Sequence, residues 1–151
     1  MSARMYCMDD CTIPVPAGFR DRTVNALEWD TEDGDKIGLV IQRQPLPSFA
    51  PTGASGFALS AFVEAQTKDY PVQFAGFCLE REETAAADAP FEMQRKAFRW
   101  KHEQHVLYHH QAFVLIEARV VVLTGSGKAR SRDAIDRLLD QVLADFQARG
   151  D

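Results

Sequence analysis

His105–Leu123, HVLYHHQAFVLIEARVVVL, decides the fold class: its β-branched and apolar residues read as two adjacent strands, yet amides and histidines interrupt them. An apolar sheet face dotted with polar groups is suited to holding another molecule. Gly18–Leu27, GFRDRTVNAL, precedes this pair, and an amphipathic helix after Ser131 follows it.

Strands are predicted at Met5–Met8 and Thr12–Val15, punctuated by Pro14, Pro16 and Gly18. In Arg22–Trp29, alternation sends Val24, Ala26 and Glu28 to one face and Thr23, Asn25 and Leu27 to the other. The acidic, glycine-containing Asp30–Asp35 reads as a hairpin turn leading to Lys36–Arg43, which ends at the Pro45 and Pro47 punctuation. Pro51–Gly56 is a loop. In the fifteen residues after it, Leu59, Phe62, Val63, Gln66 and Tyr70 repeat at helical spacing, placing Gln66 inside an apolar stripe until Pro71 stops the helix. Gln73–Glu82 and Phe91–Trp100 read as strands joined by the loop Thr84–Pro90. Ser131 is positioned to cap the last helix, whose apolar face is Ile135, Leu138, Leu139, Val142, Leu143 and Phe146. Residues 1–151 form a single domain of the α+β class: a mainly antiparallel sheet flanked by helices.

Composition narrows the function. Hydrophobic residues make up 46% of 151 residues, enough for a packed core, and a net charge of −5 spread along the chain lacks the basic footprint that a phosphate backbone requires. Nucleic acid is therefore not an expected partner. Cys7, Cys11 and Cys78 are an odd, irregularly spaced set that fits free thiols in a reducing compartment, so a cytoplasmic location is expected. The N-terminal MSARMYCMDD has no apolar signal-peptide run, and no segment reaches the ~20 apolar residues of a membrane span. Direct membrane anchoring is not expected.

His102, His105, His109 and His110 suggest a metal cluster until strand geometry is imposed. Adjacent His109 and His110 then face opposite ways, and His105 lies roughly 13 Å from His109 along the strand at about 3.3 Å per residue. No metal or other cofactor is expected. Gly125-Ser-Gly-Lys128 imitates a phosphate loop, but that motif needs Gly where Val122 stands and Ser or Thr where Ala129 stands. It reads as a strand-to-helix turn. No nucleophile elbow or Ser, His and Asp grouping with diagnostic spacing is present, so catalysis is not expected.

Two amides stand out instead. Gln66 lies on the stripe of the first helix, and Gln111 shares a strand face with His109, Phe113 and Leu115. A buried amide without partners costs about 1–3 kcal/mol, so each finds an internal hydrogen bond, lies at the rim of the core, or meets polar groups on a bound partner.

GFRDRTVNAL, the helix containing FVEAQ, the stretch HHQAFVLIEARVVVLT and the final amphipathic helix resemble, in order and spacing, the DcrB-like proteins. Within them the chain is similar to the Eag chaperones that accompany type VI secretion effectors. The resemblance covers nearly the whole chain and implies a PsbP-like α/β/α sandwich, a homodimer and a concave sheet. That sheet would shield the N-terminal transmembrane helices of a secreted effector and aid loading onto the secretion spike. It places apolar groove residues at Val24, Ala26 and Phe74 and polar ones at Gln66 and Gln111. Relatives tend to carry a larger aliphatic residue in place of Ala26, which implies a shallower groove here, and often a glycine in place of Ala118 in the turn of the strand pair. The same face suits an alternative role, carriage or sensing of a small apolar ligand.

Overall fold

In the computed structural model, which describes residues 3–7, 12–16, 24–45, 55–85, 91–117 and 119–146, two sheets are present. β1 (Ala3–Cys7) and β2 (Thr12–Pro16) form an antiparallel pair. The larger sheet comprises β3 (Asn25–Asp30), β4 (Lys36–Pro45), β5 (Cys78–Thr84), β6 (Glu92–His102), β7 (His105–Ile116) and β8 (Arg119–Lys128). Its order is β3-β4-β8-β7-β6-β5, and every neighbouring pair is antiparallel. Helix α1 (Ser55–Thr67) and the short α2 (Tyr70–Gln73) lie in the connection from β4 to β5, at the opposite edge of the sheet. A 3-10 turn (Ala129–Ser131) leads from β8 into α3 (Arg132–Ala144).

Directly opposed residues of antiparallel strands share a face, so register assigns each side chain to one helix layer or the other. Ala112, Val114, Val121, Leu123 and Leu39 form a core cluster with Leu139 of α3, while Phe113, Val120 and Val122 pack with Leu59, Phe62 and Val63 of α1. Alternation along β7 and β8 thus divides one apolar run between two cores. The expected three-layer sandwich is the observed one.

Four local expectations need correction. β8 continues through Gly125-Ser-Gly-Lys128, which is strand rather than turn. The reason is long-range: a Cβ on Gly125 would lie 3.0 Å from Ile135 Cγ2, and one on Gly127 would lie 3.1 Å from Ile37 Cγ2 and 3.2 Å from Ile135 Cδ1. The glycines let α3 press on the strand backbone. Second, the helix of the Leu59–Tyr70 stripe breaks after Thr67, and Pro71 sits in the first turn of α2, where its missing N–H costs nothing. Third, β5 begins at Cys78, because Gln73 belongs to α2 and a turn occupies 74–77. Fourth, Ser131 does not cap α3. Its hydroxyl donates to Asp35 Oδ2 (3.2 Å).

Asp35 closes the β3–β4 loop, where Gly34 takes φ +84°. Arg130 grips the Asp35 carboxylate with two nitrogens, Nε lying 2.7 Å from Oδ2, and holds its pKa below the ordinary range. The clamp ties the loop to the start of α3. Residues 22–23 of the predicted Arg22–Trp29 strand, Pro47, most of the Pro51–Gly56 and Thr84–Pro90 loops, and Ala118 lie outside the described residues.

Candidate functional site

α1 and α3 cover their faces unequally. The hydroxyl of Ser60 accepts from Gln94 Nε2 at 2.5 Å, and Thr67 Oγ1 accepts from Lys96 Nζ at 3.2 Å, so this flank of α1 leans toward β6. Phe62 occupies the other flank, edge to face with Phe113 and clustered with Val122. Beyond it, on the same face, every residue of β3 is exposed, and Val40, Gln42, Thr124 and Ser126 are only half-buried. A strip of β8, β4 and β3 is therefore left open beside a helical wall.

Register places Ala26 on this strip and Gln111 one strand beyond it, on β7. One cross-strand row runs Lys96, Gln111, Thr124, Val40, Ala26. Gln111 and Ala26 are thus three strand spacings apart, roughly 14 Å at about 4.8 Å each. Val24 precedes β3 by one residue, is 54% exposed and falls on the side of Ala26 by alternation. Gln66 is exposed, contrary to its place in the apolar stripe, and lies one turn after Phe62 on the flank facing away from β6. This turn buries Val63 and Thr67 instead, the Thr67 hydroxyl donating to Val63 O and accepting from Lys96 Nζ.

Gln111 is buried and satisfied from within. Its Nε2 lies 3.1 Å from the Tyr70 hydroxyl and 3.3 Å from Thr124 Oγ1, so the amide joins α2 to β7 and β8. Its role in the folded chain is to hold the base of the wall. Tyr70 has its pKa raised by burial. Phe74 is half-buried among Tyr70, Phe98, Trp100 and His109, with ring centroids 5.0–5.7 Å apart. These contacts place it over β6 and β7, where it braces the wall, rather than on the open strip.

Sequence reading passed over a second row: Phe98, His109, Ser126, Gly38, Glu28. His109 stacks on Phe98 at 5.0 Å and accepts the indole N–H of Trp100 at Nε2 (3.0 Å); burial lowers its pKa to about 4. It is a neutral member of the floor. The available signal was its parity with Gln111. Gly38 lies two strands away in the same row with room to spare: an added Cβ would find only Leu27 O at 3.6 Å and Ser126 Oγ at 3.7 Å.

The other face is sealed by polar contacts as well as by its core. His110 Nδ1 lies 2.8 Å from Asp136 Oδ1, which also accepts from the Tyr108 hydroxyl at 2.7 Å, while Arg95 donates to His110 Nε2 at 3.3 Å and to Asp140 Oδ1 at 2.6 Å. His109 and His110 thus belong to opposite layers. Among the described residues no group of three or more His, Cys, Asp or Glu side chains is placed to hold a metal ion, and no helix is long and apolar enough to cross a membrane.

Solved structures share this architecture. A Pseudomonas aeruginosa protein of unknown function, PA94, aligns over 100% of both chains with a TM-score of 0.78 at 16% identity. The PsbP protein of the cyanobacterium Synechocystis (CyanoP) aligns over 98% of this chain and 93% of its own with a TM-score of 0.54 at 13% identity. LpqN of Mycobacterium tuberculosis, involved in cell envelope biogenesis, aligns over 85% and 84% with a TM-score of 0.52 at 12% identity. At such identities the likeness is one of fold, and it includes the expected PsbP-like arrangement. No curated protein matches the sequence. The family model of DcrB matches residues 10–145, a span that includes both helix layers and all six strands of the large sheet, and the chain therefore belongs to the DcrB family.

Proposed function

We propose that this chain is a cytoplasmic chaperone of the Eag type. It shelters the N-terminal transmembrane helices of a type VI secretion effector and helps load the effector onto the secretion spike, working as a homodimer and without catalysis. The observation that carries this reading is the open strip of β8, β4 and β3 beside the α1–α2 wall, lined by Val24, Ala26, Val40 and Thr124 with Gln66 above. Three adjacent strands span roughly 10 Å between outer axes, which matches the ~10–12 Å diameter of one helix with its side chains. Apolar burial at ~25 cal/mol per Å² supplies attraction that does not read sequence. The exposed Gln66 amide and the half-buried Thr124 and Ser126 hydroxyls add selectivity by pairing with polar groups on small-residue membrane helices.

The test is co-expression of the chain with the N-terminal region of its effector. The wild type keeps that region soluble, and Val24→Asp reduces capture at least tenfold while leaving the melting temperature within a degree or two, since Val24 is 54% exposed. Undiminished capture by a folded V24D protein rules out the strip as the binding surface.

A further inference from the structure

We infer that Lys128 receives the carboxyl-terminal end of the client's membrane helix, so that the strip holds that helix in one direction only. The inference rests on the chaperone reading and deepens it by naming what the strip recognises in the client besides apolar surface.

The strip changes character along its length, and in the same sense on all three strands. On the α1 face, β8 runs Val120 and Val122, both buried under α1, then Thr124, Ser126 and Lys128, all half-buried. Lys128 keeps an extended backbone (φ −67°, ψ 148°), so the alternation reaches it. On the same face β4 runs Gln42, Val40, Gly38 and Lys36, and the chain through β3 runs Val24, Ala26, Glu28 and Asp30. Register brings like ends together: Thr124, Val40 and Ala26 share one row, Ser126, Gly38 and Glu28 the next, and two residues further along each strand stand Lys128, Lys36 and Asp30. One end of the strip is uncharged, and the other, about 20 Å away at roughly 3.3 Å per residue, is charged.

Lys128 is the cation at that end with nothing to balance it. Lys36 pairs with Glu28 at 3.6 Å, both largely exposed. Asp35 feels the Lys128 charge, but Arg130 and Ser131 already occupy its carboxylate. Asp30 stands two strands off, roughly 10 Å at about 4.8 Å per spacing. Among the described residues Lys128 enters no ion pair, and its ammonium makes no hydrogen bond. A helix ends in four carbonyls without intrahelical partners and a partial charge of about −0.5, whereas its first turn offers unpaired N–H groups and the opposite charge. The Lys128 ammonium and the Ser126 hydroxyl can donate to such carbonyls; a reversed helix sets donor against donor at Lys128. At the uncharged end the Gln42 and Gln66 amides carry oxygens that accept from the first turn. A membrane helix of ~20 residues is ~30 Å long, so its two ends fall at opposite ends of the strip.

The probe is the N-terminal region of its effector, co-expressed with the full chain and carrying a single cysteine directly before or directly after its first apolar run. In a background with Cys7, Cys11 and Cys78 changed to Ser, Gln42→Cys is expected to cross-link on mild oxidation to the cysteine before the run, and Lys36→Cys to the one after it. Lys128→Glu is expected to lower capture about fivefold and to abolish that preference, and Lys128→Arg to retain both, with an unchanged circular dichroism spectrum in each. Raising the salt concentration narrows the gap between the wild type and Lys128→Glu, which a loss of packing would not do. Cross-links with the opposite preference or with none, or a Lys128→Glu protein that captures as well as the wild type, overturn the inference and leave the strip standing as the binding surface. A wild type that leaves the segment insoluble sinks the chaperone reading, and this inference with it.

Discussion

Neighbouring histidines on β7 show how one residue type is used twice with opposite polarity of environment. His109 stays neutral because rings surround it, and its Nε2 accepts from Trp100; His110 stays neutral because burial outweighs the pull of Asp136, and its Nε2 accepts from Arg95. Protonating either ring sets a new N–H against an existing donor. Unfolded histidine titrates near 6.5, so for His109 the unfolded chain takes up a proton first as pH falls, and stability declines from about pH 6.5 until the folded pKa near 4 is reached. The loss from His109 is on the order of 3 kcal/mol, full stability being kept above pH 6.5. Urea titrations at pH 7.5 and 4.5 measure it, and His109→Phe flattens the difference by about that amount. At this scale Gln111 also differs from Val24: a charge at Gln111 would attack the join between Tyr70 and Thr124, so the surface is probed at Val24.

Among the elements, strong periodicity was legible and long-range constraint was not. The β7–β8 hairpin and α3 follow from sequence because their apolar spacing leaves no alternative, and the strand parity that set Ala26 and Glu28 on one face is the observed one. Gly125 and Gly127 read locally as a turn, yet the position of Ile135 above them makes them strand. Ser131 has the residue type of a helix cap, but a buried carboxylate distant in sequence claims its hydroxyl. The break between α1 and α2 brings Tyr70 to Gln111, a contact that no local pattern announces. The cross-strand row from Gln111 to Ala26 likewise needed the β4–β8 pairing, which joins distant parts of the chain. Gly127→Val tests the packing reason. The side chain would have to displace Ile37 and Ile135, with an expected loss of about 1–3 kcal/mol in urea unfolding and little change in strand content.

Taken whole, the molecule separates the side chains that hold it together from those it leaves open on one face. The α3 layer carries Ile135 and Leu139 at 0% exposure and the Asp136 network, while the strip beside α1 carries the exposed Val24 and Ala26 and the half-buried Val40 and Gly38. Gly38 makes the separation measurable. Strand interiors disfavour glycine by roughly 0.5–1 kcal/mol relative to alanine, and here a methyl group meets nothing closer than 3.6 Å. Gly38→Ala should therefore raise the unfolding free energy by about that amount while weakening client capture, read by urea titration and by co-purification of the effector segment. A gain in robustness bought with a loss of cargo would mark position 38 as a depth gauge, tunable from one cargo to the next without reopening the question of how the chain folds.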